Sequence, residues 1–226
     1  MKKTISLIPL RGGSKGITNK NITLLNNKPL CYYTVKASLN SKLIHETWVS
    51  TDDDNIENVC LELGAKVHRR NPKTGTDIAT SDSVILDFLE EKKYDSEKYN
   101  IILIQATNPF LFPEDLDNAL IKFNCNNYDM LIGVNETHNF LWRKNKDDSI
   151  YLVNDKVRRR QCAPEEFLEN GSYYIYNIKK FYDGTYEKLD KIGYNINSSK
   201  IFVDIDEQFD LEIAEKLSDY LPKFDQ

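Results

Sequence analysis

Two stretches of this chain gather side chains of chemical use, and they lie near its opposite ends. Near the amino end, the apolar run Ile5–Pro9 stops at Arg11-Gly-Gly-Ser-Lys-Gly16. A glycine-rich turn straight after a strand lets backbone N–H groups approach an anion closely. Arg11, Lys15 and Lys20 add fixed positive charge beside Gly12, Gly13 and Ser14. The string is neither G-x-x-x-x-G-K-[ST] nor G-x-G-x-x-G, which disfavours the kinase-type phosphate loop and the dinucleotide fingerprint. Its plainer reading is a surface turn with solvated lysines. Near the carboxyl end, Ile201-Phe-Val203 runs into Asp204-Ile-Asp206. Alternation along a strand puts both carboxylates on one side, where a hard cation such as Mg2+ would join them to phosphate oxygens. The local alternative is that Asp206 caps the last helix while Asp204 faces solvent.

Two further clusters are weaker on their own. Arg70 with Thr76-Asp-Ile-Ala-Thr-Ser81, which includes Ala79, is small and polar ahead of a helix. It suits a base and a ribose read through hydroxyls and backbone, and Ser81 suits helix capping equally well. Gln105-Ala-Thr-Asn-Pro-Phe110 follows the most apolar strand, and its bland reading is a turn set by Asn108-Pro109. The three histidines, His45, His68 and His138, have no spacing that suggests a zinc site or a Ser–His pair, so surface or helix-end positions are expected. The basic run Lys156-Val-Arg-Arg-Arg160 reads in part as a solvated strand face, with at least one arginine available to an anion.

The elements that must position these residues follow from periodicity. Helices are expected at Leu30–Leu39, at Asn55–Leu63 capped from Asp52–Asp54 and stopped by Gly64, and after a cap at Ser81 or Asp82. Pro113–Phe123 has Pro at its first turn, and Phe209–Leu221 closes the chain as an amphipathic helix. Strands are expected at Thr47–Ser50, Ala65–His68, Ile101–Ile104, Met130–Val134, Ser172–Tyr176 and Lys200–Val203. This alternation predicts a mostly parallel sheet with right-handed crossovers, and a turn after its first strand would sit at the ligand-binding carboxyl edge. The pattern breaks over residues 135–165, which read as an arm built on a β-hairpin with strands near Phe140–Lys144 and Ile150–Val153.

Composition bounds the rest. With 226 residues, the chain suits one large α/β domain, and Lys+Arg 30 against Asp+Glu 35 gives 30 − 35 = −5. That acidity counts against general nucleic-acid binding, and 13 Tyr with 10 Phe count against disorder. No stretch approaches the roughly 18–20 apolar residues of a membrane span. The segment after Lys2 and Lys3 is too short for a signal peptide, contains Pro9 and stops at Arg11. Cys31, Cys60, Cys125 and Cys162 are dispersed and read as reduced, so a cytoplasmic location without membrane partners is expected.

In order along the chain, these strings resemble the acylneuraminate cytidylyltransferases, or CMP-sialic acid synthetases. The resemblance rests on Ile8-Pro-Leu-Arg-Gly-Gly-Ser-Lys-Gly-Ile-Thr-Asn-Lys-Asn-Ile22, Val49-Ser-Thr-Asp52, and Arg70 with Thr76–Ser81. It continues through Leu103-Ile-Gln-Ala-Thr-Asn-Pro109, Arg160-Gln161, Glu169-Asn-Gly-Ser-Tyr-Tyr174 and Phe202-Val-Asp-Ile-Asp206. It implies a Rossmann-like α/β/α nucleotidyltransferase fold in a single domain, residues 1–226, whose inserted arm at 135–165 reaches the other subunit's site in a homodimer. It also implies the reaction: CTP and a nine-carbon 2-keto sugar acid give the CMP-sugar and pyrophosphate with Mg2+.

Position by position, Arg11, Gly12, Gly13, Ser14, Lys15 and Lys20 match the triphosphate loop, and Asn21, Arg70, Ala79 and Ser81 match the cytosine and ribose positions. Gln105, Thr107, Arg160, Asn170 and Tyr174 match the sugar pocket, with Arg160 suited to the sugar carboxylate. Asp204 and Asp206 match the metal ligands, so Arg11, Lys20 and Asp206 are the expected catalytic residues. Leu10 stands where the family often has Ala. His138-Asn-Phe-Leu-Trp142 lacks the basic residue common after a His-Pro pair, which leaves open which sugar acid is used. The first loop also differs from that of the eight-carbon Kdo-activating relatives. From another class, a D-x-D metal-dependent glycosyltransferase using a nucleotide sugar is the alternative, although its D-x-D normally follows the first half of the chain.

Overall fold

The computed structural model describes residues 2–14, 16–71, 80–153 and 165–224, and in it the apolar runs become strands of one sheet. The strands are β1 (Lys3–Pro9), β2 (Leu24–Leu25), β3 (Lys28–Pro29), β4 (Ile44–Thr51), β5 (Lys66–Arg69), β6 (Tyr99–Ile104), β7 (Met130–Thr137), β8 (Trp142–Lys144), β9 (Ile150–Leu152), β10 (Glu166–Asn177) and β11 (Ile192–Ile196). The helices are α1 (Leu30–Asn40), α2 (Asp54–Glu62), α3 (Ser81–Lys92), α4 (Pro113–Asn126), α5 (Lys179–Tyr182) and α6 (Gln208–Lys216). Seven strands form the main sheet in the order β11-β7-β10-β6-β1-β4-β5, with β2–β3 and β8–β9 pairing as separate hairpins. Every neighbouring pair in the main sheet is parallel except those of β10, which runs antiparallel to both β6 and β7.

Alternate residues of β1 feed opposite layers, as a strand covered on both faces requires. Ile5 and Leu7 pack against Val84, Ile85 and Phe88 of α3, whereas Ile8 joins Val35, Ile56 and Leu116 from α1, α2 and α4. A smaller third cluster unites Ile17, Leu30, Phe110, Ile205 and Leu211. It ties the loop after β1 to the segment before α6, the two stretches that carry the chemistry.

From β1 the chain moves outward through β4 to β5, then crosses back to β6 on the other side of β1. The β1–β6 boundary is therefore the topological switch point, where the loops at the strands' carboxyl ends part and leave a crevice.

Several expectations are corrected. Lys200–Val203 is no strand: Asn197–Lys200 turns out of the sheet, with the Ser198 N–H donating to Asp115 Oδ1 at 2.7 Å. The last strand is instead β11, whose alternating Gly193 and Asn195 dilute its apolar signal. Thr80, not Ser81 or Asp82, caps α3, accepting from the Ser83 N–H at 3.2 Å. The last α-helix ends at Lys216, and a 3-10 turn over Ser218–Tyr220 follows. His68 is buried on β5 rather than at the surface, while His45 and His138 are exposed. The expected arm hairpin is present as β8 and β9, but the main sheet persists to Thr137, which pairs with Glu166.

Candidate active site

The crevice at the switch point is a cleft of about 370 Å3 lined by Pro9, Arg11, Ser14, Gly16, Lys20, Asn21, Thr107, Asp206 and Glu207. Residues 195 positions apart thus share one wall, because Ile205 is buried between Asp204 and Asp206 and packs with Ile17 and Phe110. Its N–H donates to the Thr107 carbonyl at 2.9 Å, which joins the segment to the end of β6. Although no strand forms there, Asp204 and Asp206 are both exposed around buried Ile205, so the expected alternation survives.

Lys20 opens a 3-10 turn (Lys20–Ile22) and reaches across the cleft. Its ammonium donates to the Ile205 carbonyl at 2.8 Å and pairs with Asp206 Oδ1 at 2.9 Å. Asp206 is held from behind as well: the N–H groups of Asp206 and Glu207 donate to Asp210 Oδ2 at 3.0 and 2.8 Å. Glycine is required at position 16, since a Cβ there would run into the Asp206 carbonyl oxygen. The Asn21 side chain, buried, donates to the Arg11 carbonyl at 2.9 Å and so braces the loop. The Gly12 N–H is taken by Asp52 Oδ1 at 3.0 Å. Asp53 is left to cap α2, accepting from the Asn55 and Ile56 N–H groups at 2.8 and 3.0 Å.

Arg70 lies behind this loop, 8% exposed, donating through Nη2 to the Ser50 carbonyl at 2.9 Å. Burial pulls its guanidinium below the ordinary value, against Asp52 and Asp87 and with Arg11. Ser81 is the first residue of α3.

Just past β6, the Gln105 N–H donates to the Ser172 carbonyl at 2.9 Å. Gly171, at φ +64, brings the β10 backbone past the Gln105 and Tyr174 side chains. The Tyr174 hydroxyl donates to Glu169 Oε1 at 2.6 Å; burial first, then Glu169, pushes its pKa up. Asn170 is buried and committed inward, donating to Asn135 Oδ1 at 2.8 Å and accepting from the Ser172 N–H and hydroxyl.

The cleft brings together Arg11, Ser14, Lys20, Asn21, Thr107 and Asp206. Arg70, Ser81, Gln105, Asn170, Tyr174 and Asp204 are not among the residues that line it, although Asp204 shares the segment of Asp206 and Arg70 lies near Arg11, and Gly12 and Gly13 continue its loop. Lys15, Ala79 and Arg160 lie outside the described residues, as does the rest of the basic run 156–160. Glu207 and Asp210 were not anticipated. An acidic residue three positions after a helix cap was the available signal for Asp210. Asn108, expected only as part of a turn, is buried with its Oδ1 lacking a hydrogen-bond partner among the described residues.

The carboxylates of Asp204 and Asp206, both exposed, are hard oxygen donors of the kind that fits a Mg2+ ion taking its other ligands from phosphate and water. Among the described residues there is no group of three or more His, Cys, Asp or Glu that could hold a metal ion.

Residues 5–221 match the family model described as cytidylyltransferase. The chain belongs to the cytidylyltransferase family. Among curated cytidylyltransferases it is similar to "N-acylneuraminate cytidylyltransferase B" of Danio rerio, with 37% identity over 217 residues, 93% of this chain and 50% of the relative. It is also similar to "Pseudaminic acid cytidylyltransferase" of Campylobacter jejuni subsp. jejuni, 29% identical over 222 residues, 95% of this chain and 96% of that one. The chain spans about half the length of the N-acylneuraminate cytidylyltransferases that it matches. In fold it is similar to CMP:2-keto-3-deoxy-manno-octonic acid synthetase solved in complex with CTP. The TM-score is 0.75 at 15% identity, with 96% of this chain and 99% of that chain covered. That fold agrees with the mixed α/β architecture and mostly parallel sheet described above.

Proposed function

We propose that this chain transfers CMP from CTP to the anomeric hydroxyl of a nine-carbon 2-keto sugar acid and releases pyrophosphate. One observation carries the reading: Arg11, Ser14, Lys20 and Asp206 converge on a single cleft at the sheet's switch point. The family supports cytidylyl transfer, and the similar N-acylneuraminate and pseudaminic acid enzymes support a sugar acid as acceptor.

Transfer to the α-phosphorus demands charge neutralisation and in-line positioning more than covalent help. Arg11 and Lys20 offset charge on the α-phosphate and the departing pyrophosphate. Lys20 is pre-organised for this by its contacts with the Ile205 carbonyl and Asp206. Asn21 keeps the loop in shape, while Ser14 and Lys15 meet the phosphates. Arg70, Ala79 and Ser81 hold the cytosine and ribose. Gln105, Thr107, Asn170, Tyr174 and Arg160 form the sugar side, with Asn170 acting through its internal bonds and Arg160 pairing with the carboxylate. Asp204 and Asp206 would hold Mg2+, which when bound supplies positive charge beside the phosphates.

The same reading makes residues 1–226 one domain and the 135–165 arm a contact with a second copy in a homodimer. Leu141, Trp142 and Ile150 on the hairpin are apolar and exposed, which supports that contact. A cytoplasmic location goes with it, supported by the buried thiols of Cys31 and Cys60. No helix among the described residues is long and apolar enough to cross a membrane.

The test is pyrophosphate release from CTP across N-acetylneuraminate, KDN, legionaminate and pseudaminate. Release with at least one is expected, and the rank order names the substrate. Release with none contradicts the proposed acceptor.

A further inference from the structure

Behind the cleft runs a buried polar chain that the proposed chemistry does not use. His68 of β5 is 1% exposed, and its ring lies between α3 and β4. Nε2 is 3.1 Å from Glu91 Oε2, and Nδ1 is 3.0 Å from the Ser50 hydroxyl. Phe88 closes the ring off edge-on, at 5.4 Å between centroids. Lys92 beside Glu91 holds that carboxyl below its usual value, so it is ionised and only accepts. The histidine proton therefore sits on Nε2, and Nδ1 accepts from the Ser50 hydroxyl. With its hydrogen turned to the ring, Ser50 Oγ offers lone pairs elsewhere, and Arg70 Nε donates to it at 3.3 Å. The Ser50 carbonyl accepts from Arg70 Nη2 at 2.9 Å and from the Leu10 N–H, the first residue past β1, at 2.8 Å.

We propose that His68 and Ser50 are positioning residues for the nucleotide: together they orient the Arg70 guanidinium and anchor the start of the Leu10–Gly16 loop. The inference rests on the reading above that Arg70 holds CTP. Burial keeps His68 below its ordinary pKa against the pull of Glu91 and Asp87, with Lys92 and Arg70 adding to burial, so the ring is neutral near pH 7. Protonation in acid turns Nδ1 into a donor, expels the Ser50 hydroxyl hydrogen from the ring and sets a second positive charge beside Arg70. CTP binding weakens as a result.

The experiment measures the KM for CTP and kcat between pH 5.5 and 8.5, with thermal unfolding as a control. Ser50→Ala and His68→Asn are expected to raise KM for CTP about tenfold or more, the effect of one hydrogen bond to a charged group, while kcat stays near wild type. Glu91→Gln still accepts from Nε2 but lacks the charge that favours protonated His68. The acid rise in KM should therefore move to lower pH than in the wild type. Glu91 is half exposed at the surface, so this variant decides the matter even if His68→Asn does not fold. A purely structural role would lower the unfolding temperature and leave the acid limb in place. Wild-type KM in Ser50→Ala, or superimposable profiles for Glu91→Gln and wild type, would overturn the inference while leaving the CTP reading intact. A wild type that binds no CTP, or an Arg70→Lys variant with unchanged KM, would overturn both.

Discussion

Lys20 joins both ends of the chain, bonding the Ile205 carbonyl and Asp206 across the cleft. Its side chain is 13% exposed while that of Asp206 is 70% exposed, so one partner is fixed and the other faces the solvent from which substrate arrives. A surface ion pair of this kind contributes little to stability. Asp206→Ala should therefore leave thermal unfolding nearly unchanged and lower turnover roughly 10²–10³-fold, the scale of losing one preorganised electrostatic group. Pyrophosphate release and circular dichroism on the same preparation check this, and near-normal turnover would remove Asp206 from the chemistry. Lys20 and Asp206 were legible as residues because charged groups beside glycines or apolar runs stand out. The orientation of Arg70 was not, since it depends on Ser50 and His68, which carry no motif. Asn170 matched a sugar position by string alone, yet its amide is engaged with Asn135 and Ser172, a pairing that only the β7–β10 register produces.

At the level of elements, the site depends on how α6 begins. Asp210 accepts both the Asp206 and Glu207 N–H groups, so one carboxylate caps the helix and fixes the turn that carries Asp206. Asp210→Ala should lower stability by about 1 kcal/mol, as loss of a helix cap does, and reduce turnover as the Asp206 turn loosens. Asp210→Asn, which retains an acceptor, should recover most of both. Urea midpoints with parallel kinetics test the coupling, and a destabilised Asp210→Ala with full turnover would separate the cap from the site. Elements with strong periodicity, such as β1, β6 and α4, were readable because their burial is local to the sequence. β11 was missed because Gly193 and Asn195 interrupt its apolar residues. Lys200–Val203 was misread because apolar character does not supply a pairing partner, and Ser198 is held by Asp115 of α4 instead.

For the whole molecule, the formal charge of −5 describes the outer surface, not the cleft. Arg11 and Lys20 line that cleft together with Asp206 and Glu207, and Arg70 stands behind its loop, so the charge there is set by the local arrangement of these groups and not by the acidic exterior. The parallel sheet and its switch point were legible from the alternation of strands and helices, whereas the antiparallel β10 was not, because strand direction leaves no mark on composition. The hairpin of β8 and β9 packs outside the main sheet, and Trp142 is 55% exposed on it. If a second copy covers that surface, Trp142→Glu should convert a dimer to a monomer in size-exclusion chromatography with light scattering. An unchanged mass would assign the arm some other role.

The central claim is that the bond broken in CTP is the one between its α- and β-phosphates. Phosphorus NMR of CTP incubated with Mg2+, the protein and each of the four sugar acids reads this directly. The account predicts, for at least one acid, loss of the three CTP resonances with growth of free pyrophosphate and a single CMP diester signal. Cleavage to CDP and inorganic phosphate, or CTP unchanged with every acid, would contradict it.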